Sequence, residues 1–511
     1  MRRLARDVLL MALATGVSRL LGLGREAAIA DRFGASAAYD AFLIAFFVPH
    51  FLRSLLAEGA LSTAFVPIYT SLRVAGEDGG GSADAEAFAS NLLTLLLVLY
   101  PIVVLAGVLL APLYVPFLAS GFSQEKLALA TTLARIVFPF IALIGFSAVF
   151  MGILNAHHRF FPAAFAPVWF NVGMIVGILG VARVFPTQPI LGLAVGVLIG
   201  GAGQLCSQLP FLRRLGFRFR LTLRPIHPGI LEFLRRIAPA VLVLAVAQIN
   251  LLVDNKIASY LPDGGISALQ YAMRLFQLPL GVFAVSIATA LLPRLSAARA
   301  RGEMARFSKD LGDGVAASVL VLLPATVGLW ILGGDIIRLL FEHGSFGPAE
   351  TLRTTGALSA YVLGLLPYGF VYVQTRACYA LGRTGLPLIA SVCAVGVNVA
   401  LDLALVGPLQ ERGLALATAI AGVVNAAILF VLLRRELSWD LRSFQRLGWI
   451  VGGTGLLAGA VFASHRLVAS VAPAVAVAVP TIVGLAVYGA FVRGTRLWRL
   501  VSGFGEASDD A

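Results

Sequence analysis

The sequence predicts an all-α polytopic membrane protein, and three observations carry that expectation. Hydrophobic residues fill 59% of the 511 positions, and charged residues only 13%, against roughly 25% in soluble domains. The mean hydropathy is +0.90. A soluble core could not hide so much apolar surface. Because about 20 apolar residues cross a bilayer, cutting the chain at its charged and Pro/Gly-rich breaks predicts about 14 transmembrane helices.

The first span, 8–30, follows Arg2, Arg3 and Arg6. That start imitates a signal peptide but lacks a small-residue cleavage site, and its apolar pattern runs on through Arg19 into a long helix. The second, 39–57, contains Phe42 to Leu52 without a charge. A glycine-rich loop at 76–86 is flexible by composition. Spans at 89–119, 127–153, 163–183 and 189–211 complete an N-terminal lobe, residues 1–212. Residues 213–236, with Arg213, Arg214, Arg218, Arg220, Arg224, Arg235 and Arg236, are too charged to cross. They read as a cytoplasmic connector, partly an interfacial amphipathic helix whose arginines meet anionic headgroups. A C-terminal lobe, 237–435, carries spans at 237–262, 267–295, 309–333, 351–380, 386–406 and 412–434. Spans at 447–467 and 473–493 close the chain within 436–511.

The net charge of +13 would suggest nucleic acid in a soluble chain. Here the basic residues gather at span ends, the positive-inside pattern, which places both termini in the cytoplasm and leaves no nucleic-acid partner. Cys206, Cys378 and Cys393 make no disulfide framework. A weak internal echo supports two lobes. VSRLLGLGREAAIADRFG from Val17 lies over VAQINLLVDNKIASYL from Val246 in the same chain direction, as in transporters built from parallel repeats. In that overlay Arg25 falls opposite Asp254.

Two constellations could carry chemistry. The first is cationic: Arg19, Arg25 and Arg53 in the first two spans, and Arg274 in the eighth. Arginine at mid-bilayer costs roughly 2.5 to 3.5 kcal/mol on insertion scales, so several of them imply a polar cavity. Their planar forks fit phosphate oxygens bidentately, which points to a diphosphate or another polyanionic headgroup. The plainer alternative pairs them with Glu26, Asp40 and Glu58 as structural ion pairs. The second constellation consists of oxygen ligands: Asp254, then Asn398 and Asp402 four apart on one helix face, and Thr418 in the next span. Such groups suit Na+ or H+, or serve as ordinary interhelical hydrogen bonds. Pro49, Pro279 and Pro367 mark sites where spans could bend.

Several chemistries lack their motifs. There is no Walker A sequence, HExxH, paired-cysteine metal motif or GxSxG elbow. His157 and His158, beside Arg159, read as surface residues of a loop. An enzyme that processes polyprenyl diphosphates would need a metal-binding acidic cluster or a catalytic His or Ser at a membrane face. A cation-coupled drug exporter would favour an acidic cavity, against the four arginines.

The stretches SRLLGLGREAAIADRFG, YDAFLIAFFVPHFLRSLLAEGALSTAFVPIY, LNAHHRFFPAAFAPVWFNVG and YAMRLFQLPLGVFAVSIATALLPRLS together resemble the MurJ (MviN) family of lipid II flippases, within the multidrug/oligosaccharidyl-lipid/polysaccharide exporter superfamily. The resemblance implies about 14 transmembrane helices in two parallel-repeat lobes plus two C-terminal helices, in a transporter of the bacterial inner membrane and no enzyme. It would flip lipid II, or another polyprenyl-linked glycan, by alternating access, with no resident cofactor. Lipid II, membrane lipids and cell-wall synthases are the partners it implies. It matches Arg19, Arg25, Arg53 and Arg274 to the family's cavity arginines, and Asp40 to an acid near the outer gate. Glu58 joins Asp40 as a gate or cavity acid. It also matches Asp254, Asn398, Asp402 and Thr418 to a sodium site, and the last two spans to a groove for the lipid tail. Ser54 and Gln277 stand where some relatives carry arginine and glutamate, which alters the cavity's net charge.

Overall fold

The computed structural model describes residues 2–55, 61–74, 81–222, 227–434, 442–469, 471–495 and 497–502. Glu58 therefore lies outside the described residues. All regular structure among them is helical. The element order is α1 Arg2–Phe33, α2 Ala37–Leu55, α3 Leu61–Val74, α4 Gly81–Leu118, α5 Gln124–Val137, α6 Phe140–Ala156, α7 Phe161–Leu179, α8 Ile190–Arg214 and α9 Pro228–Ala258. It continues with α10 Gly265–Pro279, α11 Val285–Ala300, α12 Met304–Phe341, α13 Pro348–Val362, α14 Leu365–Ala380, α15 Gly385–Leu433, α16 Arg442–Val468, α17 Pro473–Gly494 and α18 Arg499–Ser502.

Nine helical runs among the described residues are long and apolar enough to cross a membrane, ten when the bent pair α13–α14 is taken as one span. The apolar surface is turned outward. On α4, Leu105, Leu109 and Leu113 are 60–70% exposed, a face that water would not tolerate and lipid does. The chain is an all-α polytopic membrane protein, and its element order accommodates the expected fourteen crossings.

The breaks have local causes. α5 gives way to α6 at Phe138 and Pro139, and a π-helical turn at Leu280–Ala284 follows Pro279 between α10 and α11. At about 1.5 Å per residue, the 49 residues of α15 are too long for one crossing. They divide after Pro408 at Gln410, whose φ of 50° is not helical. A Cβ on Gly413 would stand 2.4 Å from the Leu405 carbonyl oxygen, so the chain turns back on itself there and only glycine fits. The two limbs correspond to the spans expected at 386–406 and 412–434.

The chain forms two compact units, Met1–Gly264 and Gly265–Ala511. The connector lies inside the first. Its arginines are divided: Arg213 and Arg214 end α8, Arg235 and Arg236 belong to α9, and 217–222 is extended. This middle portion is an extended strap between the two helical ends of the connector. In the first unit α7 and α8 pack backbone to backbone. A Cβ on Gly173 would lie 2.2 Å from Gly200 N, and one on Gly177 2.5 Å from the Gly192 oxygen. Glycines repeated every four residues on both helices allow that approach, and α7 then packs along α1. A ladder of Phe42, Phe46, Phe140 and Phe170, with ring centroids 5.4–6.2 Å apart, fills the space between α2, α6 and α7.

Candidate functional site

Arg25 is held in the first unit by what α7 brings to α1. Its Nη1 donates to Asn171 Oδ1 at 3.0 Å and approaches Met174 Sδ at 3.8 Å, while Phe170 presents its ring 5.9 Å from the guanidinium carbon. Nη2 pairs with Glu26. The Arg25 Nε is buried without a hydrogen-bond partner. Asn171 also donates from Nδ2 to the Ser18 carbonyl at 3.1 Å, which stitches α7 to the turn before Arg19. Arg19 itself is exposed. Arg53 is half-buried in the last turn of α2. Arg274 is exposed on α10 of the second unit. The anticipated ion pair between Arg25 and Glu26 forms.

Asp40 occupies a different place. Its side chain is 1% exposed and accepts from Lys126 Nζ at 2.9 Å and from the Gly264 backbone N–H at 2.8 Å, both through Oδ2. Lys126 is 6% exposed and also donates to Asp263 Oδ1 at 2.8 Å, with the Phe122 ring centroid 4.0 Å away. The buried carboxylate and ammonium thus offset each other, and the phenyl face contributes a further cation–π attraction. Sequence reasoning missed Lys126 because it directly follows Glu125 at a span edge, where a lysine ordinarily snorkels. Asn171 was missed because a lone amide in an apolar run reads as interhelical glue.

The oxygen-ligand set is divided between the units. In the first, Asp254 Oδ2 accepts from Asn250 Nδ2 at 3.0 Å. In the second, Asn398 and Asp402 are both buried one turn apart on α15. Thr418 donates to the Leu414 carbonyl at 3.0 Å, and Tyr368 donates to the Thr418 carbonyl at 3.4 Å. A buried carboxylate with amide and hydroxyl oxygens suits a hard cation or a proton.

Two further features bear on function. In the second unit α12, α16 and α17 enclose an apolar hollow of 480 Å3 lined by residues such as Pro324, Leu332, Leu457, Val461 and Leu485. Tyr488 closes it by donating to the Leu320 carbonyl at 2.8 Å, and His465 Nε2 stands 2.7 Å from Asp335 Oδ2 between α16 and α12. In the first unit His157 is a structural residue as well as a loop residue. Arg73 Nη1 donates at 3.0 Å both to the Ala156 carbonyl and to His157 Nδ1, which leaves Nε2 to donate to the Tyr69 hydroxyl at 3.3 Å. Burial, then the cations Arg73, His158 and Arg159, hold this imidazole below its ordinary value of 6.5.

Known proteins match this arrangement over nearly the whole chain. The family model described as "Lipid II flippase MurJ" matches residues 29–502. The chain is 35% identical over 463 residues to the "Probable lipid II flippase MurJ" of Rhizobium tropici, covering 89% of this chain and 86% of that protein. It is 32% identical over 467 residues to the "Lipid II flippase MurJ" of Burkholderia cenocepacia, covering 89% of each. A solved structure, "Lipid II flippase MurJ, inward closed conformation", superposes with a TM-score of 0.80 at 29% identity over 96% of this chain and 99% of that one. An inward-facing multidrug resistance transporter of the MATE family shares the fold at a TM-score of 0.66 and 18% identity, over 82% of this chain and 94% of that one. The chain belongs to the MurJ family of lipid II flippases.

Proposed function

We propose that this protein flips lipid II, the undecaprenyl-diphosphate-linked disaccharide-pentapeptide, from the inner to the outer leaflet of the bacterial cytoplasmic membrane by alternating access. Both termini lie in the cytoplasm, as the basic span ends indicate. The observation that carries this reading is the set of three arginines on α1 and α2 in a chain of this family. Arg25 is fixed between α1 and α7 by Asn171 and Glu26, Arg19 is exposed six residues earlier, and Arg53 lies in the last turn of α2. Arg19, Arg25 and Arg53 bind the diphosphate. The apolar hollow of α12, α16 and α17 takes the polyprenyl tail.

Outward movement of negative charge against an inside-negative potential is downhill by about 2.3 kcal/mol per charge per 100 mV. Entry of Na+ or H+ through Asn398, Asp402 and Thr418 resets the carrier. Cell-wall synthases downstream consume the product. The test compares wild type with Arg53→Ala for rescue of a flippase-depleted cell and for lipid II retention in native mass spectrometry, undecaprenyl phosphate serving as the competitor. Loss of rescue and of lipid II preference, with normal amounts of folded protein in the membrane, is the expected result. Full rescue by Arg53→Ala would remove the diphosphate role.

A further inference from the structure

On the first unit, α4, α6 and α8 leave a continuous apolar trough. One hollow of 580 Å3 lies at Tyr100, Pro139 and Ile199, and a second of 370 Å3 at Phe150, Phe217 and Arg213. Leu97 and Phe146 line both, so the two are one feature. Its shape has local causes. A Cβ on Gly145 would lie 1.8 Å from the Tyr100 hydroxyl, so glycine lets the tyrosine rest against α6 and form the floor, edge-on to Phe146 at 5.3 Å. At the Arg213 end the wall is the extended strap. Its Arg220 N–H donates to Ser90 Oγ and its Thr222 N–H to Thr94 Oγ1, each at 3.3 Å, which pins the strap on α4. The two-residue period of an extended chain then turns both Phe217 and Phe219 into the trough.

We propose that this trough binds an anionic glycerophospholipid of the surrounding bilayer, with an acyl chain along the trough and the phosphate at Arg213. The dimensions fit one leaflet. Ile199 to Arg213 is about 21 Å of helix at 1.5 Å per residue, and half of a bilayer's hydrocarbon core is about 15 Å, which leaves the guanidinium at headgroup depth. A long polyprenyl chain would overrun such a trough. The charge fits an anion. Arg213 lines the mouth and is exposed, and its guanidinium makes no hydrogen bond or ion pair among the described residues, while Arg214, Arg218 and Arg220 are exposed beside it. No carboxylate lines either hollow. Guanidinium groups take phosphate oxygens in pairs. This site uses none of the residues assigned to lipid II and requires only that the chain span a bilayer.

The test places the photoreactive residue benzoylphenylalanine at Leu143, inside the trough, or at Leu113, on the exposed face of α4, in full-length protein in nanodiscs of equimolar phosphatidylglycerol and phosphatidylcholine. Mass spectrometry identifies the captured lipid. At Leu143 phosphatidylglycerol should be captured about fivefold over phosphatidylcholine, the preference that one basic residue at a membrane surface confers. Leu113 should show no preference. Arg213→Gln should abolish the preference and Arg213→Lys should retain part of it. Ala202→Trp, which fills the upper hollow, should reduce capture of both lipids at Leu143. Equal capture at the two positions would mean ordinary annular lipid and overturn the proposal. So would a preference unchanged in Arg213→Gln, or displacement of the captured lipid by undecaprenyl phosphate, which would make the trough a polyprenyl site.

Discussion

Lys126→Met removes the ammonium that sits between Asp40 and Asp263 and keeps the length of the side chain. Its cost follows from where the two acids lie. Asp40, 1% exposed, would keep the Gly264 N–H but lose the buried cation. Leaving one partner of a buried pair uncompensated costs about 3–5 kcal/mol. Asp263, 71% exposed, can recover its hydration in water, so Asp263→Asn should cost less than about 1 kcal/mol. The double variant Asp40→Asn/Lys126→Met removes both buried charges and retains an amide oxygen for Gly264. It should recover most of the loss, to within about 1–2 kcal/mol of wild type. Unfolding in mixed micelles titrated with a denaturing detergent would measure the order: Lys126→Met worst, the double variant intermediate, Asp263→Asn nearest wild type. A loss below 1 kcal/mol for Lys126→Met, or an Asp263→Asn loss as large, would refute the argument that burial of Asp40 sets the energy.

Two other predictions concern the first unit. Gly177→Val should separate α7 from α8, because its Cβ would meet the Gly192 oxygen at 2.5 Å and backbone cannot yield as a side-chain tip can; overpacking of about 1–3 kcal/mol or more should appear as a lowered unfolding midpoint and, through α7, as weaker substrate retention. The His157 imidazole, whose folded pKa is depressed by burial and by Arg73, contributes stability that is complete above 6.5 and is lost as pH falls from there through the lowered folded value. The thermal stability of wild type should therefore fall on acidification below pH 6.5, and His157→Gln should flatten that dependence; an identical slope in the variant would show that other groups set it.

The membrane class and most crossings were legible in the sequence because the signal is compositional: a span needs length and apolarity, and both survive without tertiary knowledge. The break of α15 was also visible, since acid and proline near Glu411 interrupt an otherwise apolar run. Partners were less legible. Glu26 was visible as a neighbour of Arg25, but Asn171 reaches it across 146 positions of sequence, through a glycine-mediated helix contact. Gly173 and Gly177 on α7, with Gly192, Gly196 and Gly200 on α8, carried a readable four-residue repeat that would have placed α7 against α8, though not against α1. The buried state of Lys126 had no local signature at all, because it depends on Asp40 and Asp263 arriving from opposite directions along the chain. The strap at 217–222 alternates Phe and Arg with period two, which is an extended pattern, and the density of arginines obscured it.

The pairing of Arg25 with Glu26 bears on how an anion site of this kind can work. An arginine buried alone in a span would be costly, and one neutralised completely would have nothing left for substrate. Here Asn171 and Glu26 occupy Nη1 and Nη2, while Nε is buried without a partner. The guanidinium is thereby oriented, and its charge is largely balanced before substrate arrives. On the proposed function the net attraction for a diphosphate then falls above all to exposed Arg19, with Arg25 acting as a rigid donor whose orientation is already set. On that reading the division of labour keeps the resting protein stable and leaves a positive potential for a polyanionic headgroup.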